Sequence, residues 1–531
     1  MLNKIFGIAA KLTLTTIIAV GSMLSVNTFA QDNEYVEEVV SIGTRGKPRS
    51  VSSSPVPVDV LSAEDISKTG TDDLLMQLQG SIPSLNVHLQ PISDAASMIR
   101  PANLRGLSAD STLITTNGKR RHHASVIAFQ GGGVNDGSQG ADISVIPAIA
   151  LKRVEVLRDG ASAQYGSDAI AGVINFVLDD ISEGGSLSYK MGEYTEGDGA
   201  TTTIAGKYGM PLGQDGFVTT SFQIRQADDT SRSAQRPDAA ALIAAGNAAV
   251  ANPAQIWGAP KIDDDVTFFM NSGVTNSDGS ESYMFGNYSE RDVDGGFYYR
   301  NPDGRSGVFT IGDYRAVGNV DGTCAYGTGA SGQVDPSDYA TRDLIMADPS
   351  CFLMNQIAPG GYTPRFTGNI TDTSLTIGRR GDISNGMLSG YSYDLSGSVG
   401  RNEADFGLNN TVNPSMGPDT PRNFDTGSYI ELEKTFNFDL TKQMDSMTIA
   451  YGAEWREETF EVISGEEASW KAGKYALQGF NVGSHGFAGF SPDSQGSFTR
   501  RSYGLYADIE NQVSDELLVG GAFRYEDYSS F

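Results

Sequence analysis

The feature that most restricts this chain is a period of two in side-chain polarity, held over runs of about ten residues or more from Gly184 onward. Val218, Phe222 and Ile224 stand against Thr219, Ser221, Gln223 and Arg225, and Tyr391, Tyr393, Leu395 and Val399 stand against Ser392, Asp394, Ser396 and Ser398. Ile430, Leu432, Phe436, Phe438 and Leu440 alternate in the same way with Glu431, Glu433, Thr435, Asn437 and Asp439. Successive side chains on a strand point to opposite faces, so each run specifies one apolar and one polar surface. Strands of a soluble sandwich also alternate, but they average about five or six residues, whereas a tilted membrane-crossing strand takes about nine to eleven. Tyr208, Tyr451, Trp455, Tyr503 and Tyr525 fall near the ends of the apolar parity, where interfacial aromatic girdles belong. Gly213–Gly216 and Asn276–Gly279 read as tight turns, while Asp228–Asp264, Asn301–Thr371 and Phe406–Phe424 are long, polar and rich in Gly and Pro. Short turns on one side and long loops on the other predict an antiparallel, all-β membrane barrel.

A barrel of this kind requires export, and the N-terminus supplies the signal. Met1–Ala30 places Lys4 and Lys11 around the start of a short apolar run, Leu12–Leu24, followed by Thr28-Phe29-Ala30, a small-x-small cleavage site. No later segment approaches the roughly 20 apolar residues of a membrane helix. A net charge of -27 disfavours nucleic acid as a partner. The two cysteines, Cys324 and Cys351, share one Gly/Asp/Pro-rich segment; in an oxidising compartment a disulfide is the expected pairing, and no His lies close enough in sequence to suggest a metal. No GxSxG, HExxH or GxxxxGK[ST] occurs, so the chain reads as neither an enzyme nor a cofactor carrier.

Residues 31–180 have a different texture. Asp73–Gln79 followed by Gly80 reads as a short amphipathic helix, and Val58–Leu61, Leu85–Val87, Thr112–Thr116 and Arg153–Leu157 read as short strands of a small α+β domain. Glu37-Glu38-Val39-Val40-Ser41-Ile42-Gly43, Pro55–Ile66, Asp73–Val87, Ile99–Leu107, Thr112–His122 and Leu151–Leu178 (LKRVEVLRDGASAQYGSDAIAGVINFVL) then follow in an order that resembles the TonB-dependent receptor family. The resemblance covers about Glu37–Asp180 by motif and the remainder by strand pattern alone.

That resemblance implies a division into a signal peptide (1–30), a TonB-box segment and linker (31–50), a plug domain in the barrel lumen (51–180) and a barrel portion (181–531). Glu37, Glu38, Val39, Val40, Ser41 and Ile42 would be the TonB box, which adds as a strand to periplasmic TonB. Lys119, Arg120, Arg121 and His122 form the basic cluster of an acidic chain; the resemblance places them near the outward plug surface as candidate contacts for an anionic ligand, and salt bridging to an acidic lumen is the weightier reading. Adjacent His122 and His123 point to opposite faces and so are not expected to share a metal. Arg100, Arg105, Arg153 and Arg158 are expected to pin the plug to itself and to wall carboxylates through hydrated pairs. Gly106, Gly160, Gly166 and Gly172 are expected at tight turns or close backbone approaches, and the Gln130–Gly140 segment as a mobile apical loop.

The function implied is import of a scarce extracellular solute by a monomer in the outer membrane of a Gram-negative bacterium. A ferric siderophore is favoured over an oligosaccharide, cobalamin or a peptide; a non-transporting adhesin is the alternative from another class. A lumen holding such a plug calls for a roughly 22-stranded barrel, whereas Gly184–Phe531 provides about ten or eleven strands, so the sequence reads as a barrel truncated at its C-terminus.

Overall fold

The computed structural model describes residues 39–529 apart from 44–48, 52–53, 55, 69–70, 72, 88–94, 96–97, 129–132, 327–332 and 515. Residues 1–30, expected as a signal peptide, and Glu37 and Glu38 of the expected TonB box lie outside the described residues.

Eleven strands form the wall: β1 (Gly185–Gly192), β2 (Thr201–Leu212), β3 (Gly216–Ala227), β4 (Lys261–Thr275), β5 (Glu281–Gly295), β6 (Arg365–Asp382), β7 (Ser392–Asn409), β8 (Phe424–Gln443), β9 (Met447–Ser464), β10 (Gly496–Ser514) and β11 (Leu517–Tyr528). They make one antiparallel sheet in strict sequence order, with β1 and β11 at its edges. The alternation sorts as the pattern requires. Phe222, Ile224, Leu395, Phe436 and Phe438 are exposed on the outer face, where lipid takes the place of water, while Thr219, Ser221, Ser396, Glu431 and Glu433 are buried on the inner one.

Three boundaries differ from the sequence reading: β7 continues to Asn409, inside the expected loop Phe406–Phe424, and two strands begin early. The strand β4 begins at Lys261 and β6 at Arg365, inside segments expected as loops, because Lys261 pairs with Asp294 and Phe366 with Gly295. Above the membrane both faces of a strand meet water, so a run such as Ile262-Asp263-Asp264-Asp265 loses its alternation without losing its ladder.

The N-terminal domain is built on a five-stranded sheet ordered Val58–Ser62, Leu151–Leu157, Gly172–Leu178, Thr112–Thr116, Lys119–Arg120, in which Thr112–Thr116 and Gly172–Leu178 run parallel. The helix Leu74–Ser81 starts at Asp73, whose carboxylate accepts from the Leu75 and Met76 amides and also pairs with Arg100. Leu75, Leu78, Leu104, Ile143 and Phe176 fill the core between helix and sheet. Burying such side chains contributes about 1.5–3 kcal/mol each, which gives this domain a core of its own.

The sheet wraps this domain. Plug residues or the Asp179–Ile181 connection hydrogen-bond or ion-pair with every strand from β2 to β11: Asp179 with Lys207 of β2, Ile181 with Thr219 of β3, and so around to Ser167 with Tyr528 of β11 at 2.8 Å. A flat sheet of eleven strands cannot bring ten of them to one small domain, so the wall is curved and the domain lies on its concave, polar face.

Candidate functional site

Between the turn at Asn117-Gly118 and Val126, the chain climbs the inner wall from the short-turn end toward the long loops, and each step meets a polar wall residue. Lys119 pairs with Asp394 at 3.0 Å and Asp439 at 3.7 Å, close to the tight turns. Arg120 turns back into the plug to Asp168, whose carboxylate also reaches Arg456 of β9 at 3.2 Å. Burial alone would raise Asp168, but the Arg120 and Arg456 guanidinium groups hold it well below the usual carboxylate range.

Asp372 of β6 is the hub. It is 1% exposed and takes Arg121 at 2.5 Å, His122 at 2.9 Å, Asn287 at 2.9 Å and Asn402 at 3.0 Å. His123 faces the other way, between Glu433 and Glu458, and Ser125 donates its amide to Asn402 at 2.8 Å. Beyond them Ala124, Val126, Met98 and Ile99 join an apolar cluster with Phe366, Phe406 and Phe487. A cavity between this strip and the wall is lined by Thr116, Lys119, Arg121, Ser374, Thr376 and Ser398.

This placement supports the weightier reading of the basic cluster, salt bridging to the acidic lumen, and takes it away from the outward plug surface. Lys119 lies toward the short turns and Arg121 and His122 are buried against the wall, because the segment from Lys119 to Val126 runs along the wall strands instead of capping the plug. Arg100, Arg105, Arg153 and Arg158, expected to pin the plug both to itself and to the wall, do the first, pairing with Asp73, Asp159, Glu155 and Asp59. Nor is the described part of the Gln130–Gly140 segment loose, since buried Asn135 exchanges hydrogen bonds with Asn103 at 2.6 and 2.9 Å and Gln139 reaches Glu431.

The glycines serve close approaches and turns. At Gly172 φ is +149° and a Cβ would run into the Leu157 carbonyl and Leu104; Gly166, at +109°, sits under Arg120 and Glu526. Gly106 follows Arg105 through a turn in which both have positive φ, and Gly160 lies against the Ile170 carbonyl.

The described half of the N-terminal motif is clasped to the plug. Val39–Val40 pairs antiparallel with Arg49–Ser50, and Val40 and Ile42 are buried with Val58, Leu113 and Leu157. The Ser41 hydroxyl donates to Glu155 at 2.8 Å, and the Gly43 amide donates to the Tyr165 hydroxyl at 3.1 Å.

At the long-loop end the connections fold over the mouth. Cys324 and Cys351 form a disulfide, and Phe309, Phe352, Tyr362, Tyr475 and Phe480 pack beneath it. Tyr362 meets His485 Nδ1 at 3.0 Å, exposed Arg305 approaches His485 Nε2 at 3.3 Å, and Arg422 stacks over the Tyr362 ring. Burial, with Arg300 and Arg305 nearby, pulls His485 down to about 2, so the histidine is neutral. Phe487 and Phe490 continue the rings to Phe366, Phe406 and Tyr429 at centroid separations of 4.7–6.2 Å. Nothing in the sequence marked Asp372, Asp168 or this mouth cluster; for Asp372 the available signal was a carboxylate on the inward parity of its strand.

The family model of the TonB-dependent Receptor Plug Domain matches residues 50–173. An iron-regulated outer membrane virulence protein of Vibrio cholerae is 29% identical over 161 residues, 30% of this chain and 23% of the relative. A ferric enterobactin receptor of Pseudomonas aeruginosa is 32% identical over 120 residues, 23% of this chain and 16% of the relative. In fold, a crystal structure of the Pseudomonas aeruginosa ferric enterobactin receptor aligns with TM-score 0.55 at 16% identity, covering 90% of this chain and 58% of that one. The siderophore receptor PirA of Acinetobacter baumannii aligns with TM-score 0.52 at 16% identity, covering 89% and 56%. The chain thus spans about a quarter of the length of the curated relatives it matches and somewhat over half of these solved chains. Plug sequence and wall fold agree: residues 50–173 match the plug domain of TonB-dependent receptors, and the chain shares the fold of solved siderophore receptors.

Proposed function

We propose that the protein imports a scarce extracellular solute, a ferric siderophore before an oligosaccharide, cobalamin or peptide, across the outer membrane by TonB-driven movement of the plug. The observation that carries this reading is the seating of a separately cored domain on the polar face of the wall through discrete charged pairs, above all Arg121 and His122 on Asp372. Ionic contacts between preformed surfaces exchange for water and for other partners, and the apolar cluster that Met98, Ile99, Ala124 and Val126 share with Phe366, Phe406 and Phe487 adds to the seating. Lys119, Arg120, Arg121 and His122 act in this scheme as the latch. Ligand capture falls to the mouth, where exposed Arg305 and half-buried Arg422 offer cations beside a sheet of aromatic rings, a surface suited to an anionic chelate. The relatives named as ferric enterobactin receptors point to the same ligand class.

In the coupling step, Val39–Ile42 leaves the clasp made by Glu155 and the Arg49–Ser50 strand, and Glu37–Ile42 adds as a strand to TonB. Backbone hydrogen bonds supply the grip. Replacing Val40 with Pro removes one backbone donor and blocks strand addition. Cells carrying Val40→Pro are expected to bind radiolabelled ferric siderophore at wild-type levels and to accumulate none; undiminished accumulation refutes the coupling assignment.

A further inference from the structure

At the plug–wall boundary one imidazole meets two carboxylates at ion-pair distance, in a spacing that also suits a metal ion. His123 Nδ1 lies 3.5 Å from Glu433 Oε2 and 3.5 Å from Glu458 Oε1, and all three atoms fall within 4.8 Å of one another. Hydrogen bonds from nitrogen to oxygen span about 2.7–3.2 Å, so both separations are long for one. They match the distance between two ligands of a tetrahedral ion: bonds of about 2.0–2.2 Å set neighbouring donors about 3.3–3.5 Å apart.

The wall side is arranged for a cation. Glu433 and Glu458 stand directly opposite each other on β8 and β9, an arrangement in which like charges repel. Glu433 is 2% exposed and its Oε2, the atom aimed at His123, accepts no hydrogen bond. Arg500 holds the Glu458 carboxylate at 3.0 and 3.1 Å, fixing its orientation as supporting groups around metal ligands do. The neighbouring His122 is committed to Asp372 and points away, so only one imidazole enters the cluster.

We propose that His123 of the plug with Glu433 and Glu458 of the wall binds a divalent transition-metal ion of the zinc type, a water completing four-coordination. The imidazole gives up its Nδ1 proton to solvent as the ion enters. Because one ligand belongs to the plug and two to the wall, the bound ion staples the two together, and the plug withdraws only when the ion leaves.

The test uses the intact receptor in detergent, stripped with chelator and titrated with Co(II), then with Zn(II). The expected result is one equivalent of Co(II) with the strong visible bands of four-coordinate cobalt, displaced by Zn(II), and an affinity at least tenfold weaker in His123→Ala and in Glu433→Gln. No stoichiometric uptake by the folded receptor, or uptake unchanged in both variants, overturns the proposal. Should either variant fail to fold, zinc-edge anomalous diffraction from wild-type crystals soaked in Zn(II) decides: a peak among the three side chains sustains the site, and its absence there refutes it.

Discussion

Substituting Asp372 with Asn isolates the ionic hub of the latch with almost no change in shape. In the native arrangement Asp372 receives four donors, from Arg121, His122, Asn287 and Asn402, at 2.5–3.0 Å. The amide cannot accept at Nδ2, so two donors face a third and the Arg121 guanidinium, 2% exposed, keeps its charge without a counter-ion. Stranding one partner of a buried pair costs about 3–5 kcal/mol. At about 1.4 kcal/mol per decade this raises the unseated population by two to three orders of magnitude. For a urea dependence of about 2 kcal/mol per molar, the midpoint for plug release falls by about 1.5–2.5 M. Urea-induced conductance of the receptor in planar bilayers reads that midpoint, since an unfolded plug leaves an open pore. Adding Arg121→Met removes the stranded charge and should recover part of the loss. A midpoint within about 0.3 M of wild type for Asp372→Asn, well inside the calculated shift, refutes the latch reasoning.

Three other perturbations follow from the same structure. Gly172→Ala sets a methyl against the Leu157 carbonyl at a φ that side chains rarely adopt, and should cost about 2–5 kcal/mol of plug stability, read as a lower urea midpoint; no change refutes the close approach. Cys324→Ser opens a loop of sequence separation 27, releasing about 3–4 kcal/mol of conformational restraint, so limited trypsin digestion should cut within Gly318–Phe352 while sparing the wall. His485 is held neutral at about 2 against an unfolded value near 6.5, so the loop packing around it, faced by Arg300, Arg305 and Tyr362, keeps full stability above about pH 6.5 and loses it as pH falls. Hydrogen exchange at the His485 amide, which bonds to Val412, should show less protection at pH 5 than at pH 7 after correction for intrinsic rates, and equal protection excludes the effect.

The wall was legible because lipid outside and polar groups inside impose the period of two directly on Val218–Arg225 and Ile430–Asp439. The plug strands and the Asp73-capped helix were legible from local signals of the same sort, spacing and caps. The site was harder to read. Arg121 and Asp372 are separated by 251 positions, and no local pattern in Thr371-Asp372-Thr373 announces that four donors converge there. The basic cluster stood out by composition, yet its direction depends on which way a two-residue strand runs along the wall, information carried by tertiary register alone. His123 shows the same limit. Opposed neighbours rule out a shared ion between adjacent histidines, but the sequence gives no hint that Glu433 and Glu458 wait on the far side.

In the wall, every strand is hydrogen-bonded only to the strands before and after it in the chain. Each hairpin therefore docks on a partner already laid down, and loop-closure entropy stays small at every addition. The stopper lies upstream of every one of these hairpins. A wall whose staves each lean only on the one before can be raised around such contents, with no threading through a finished ring.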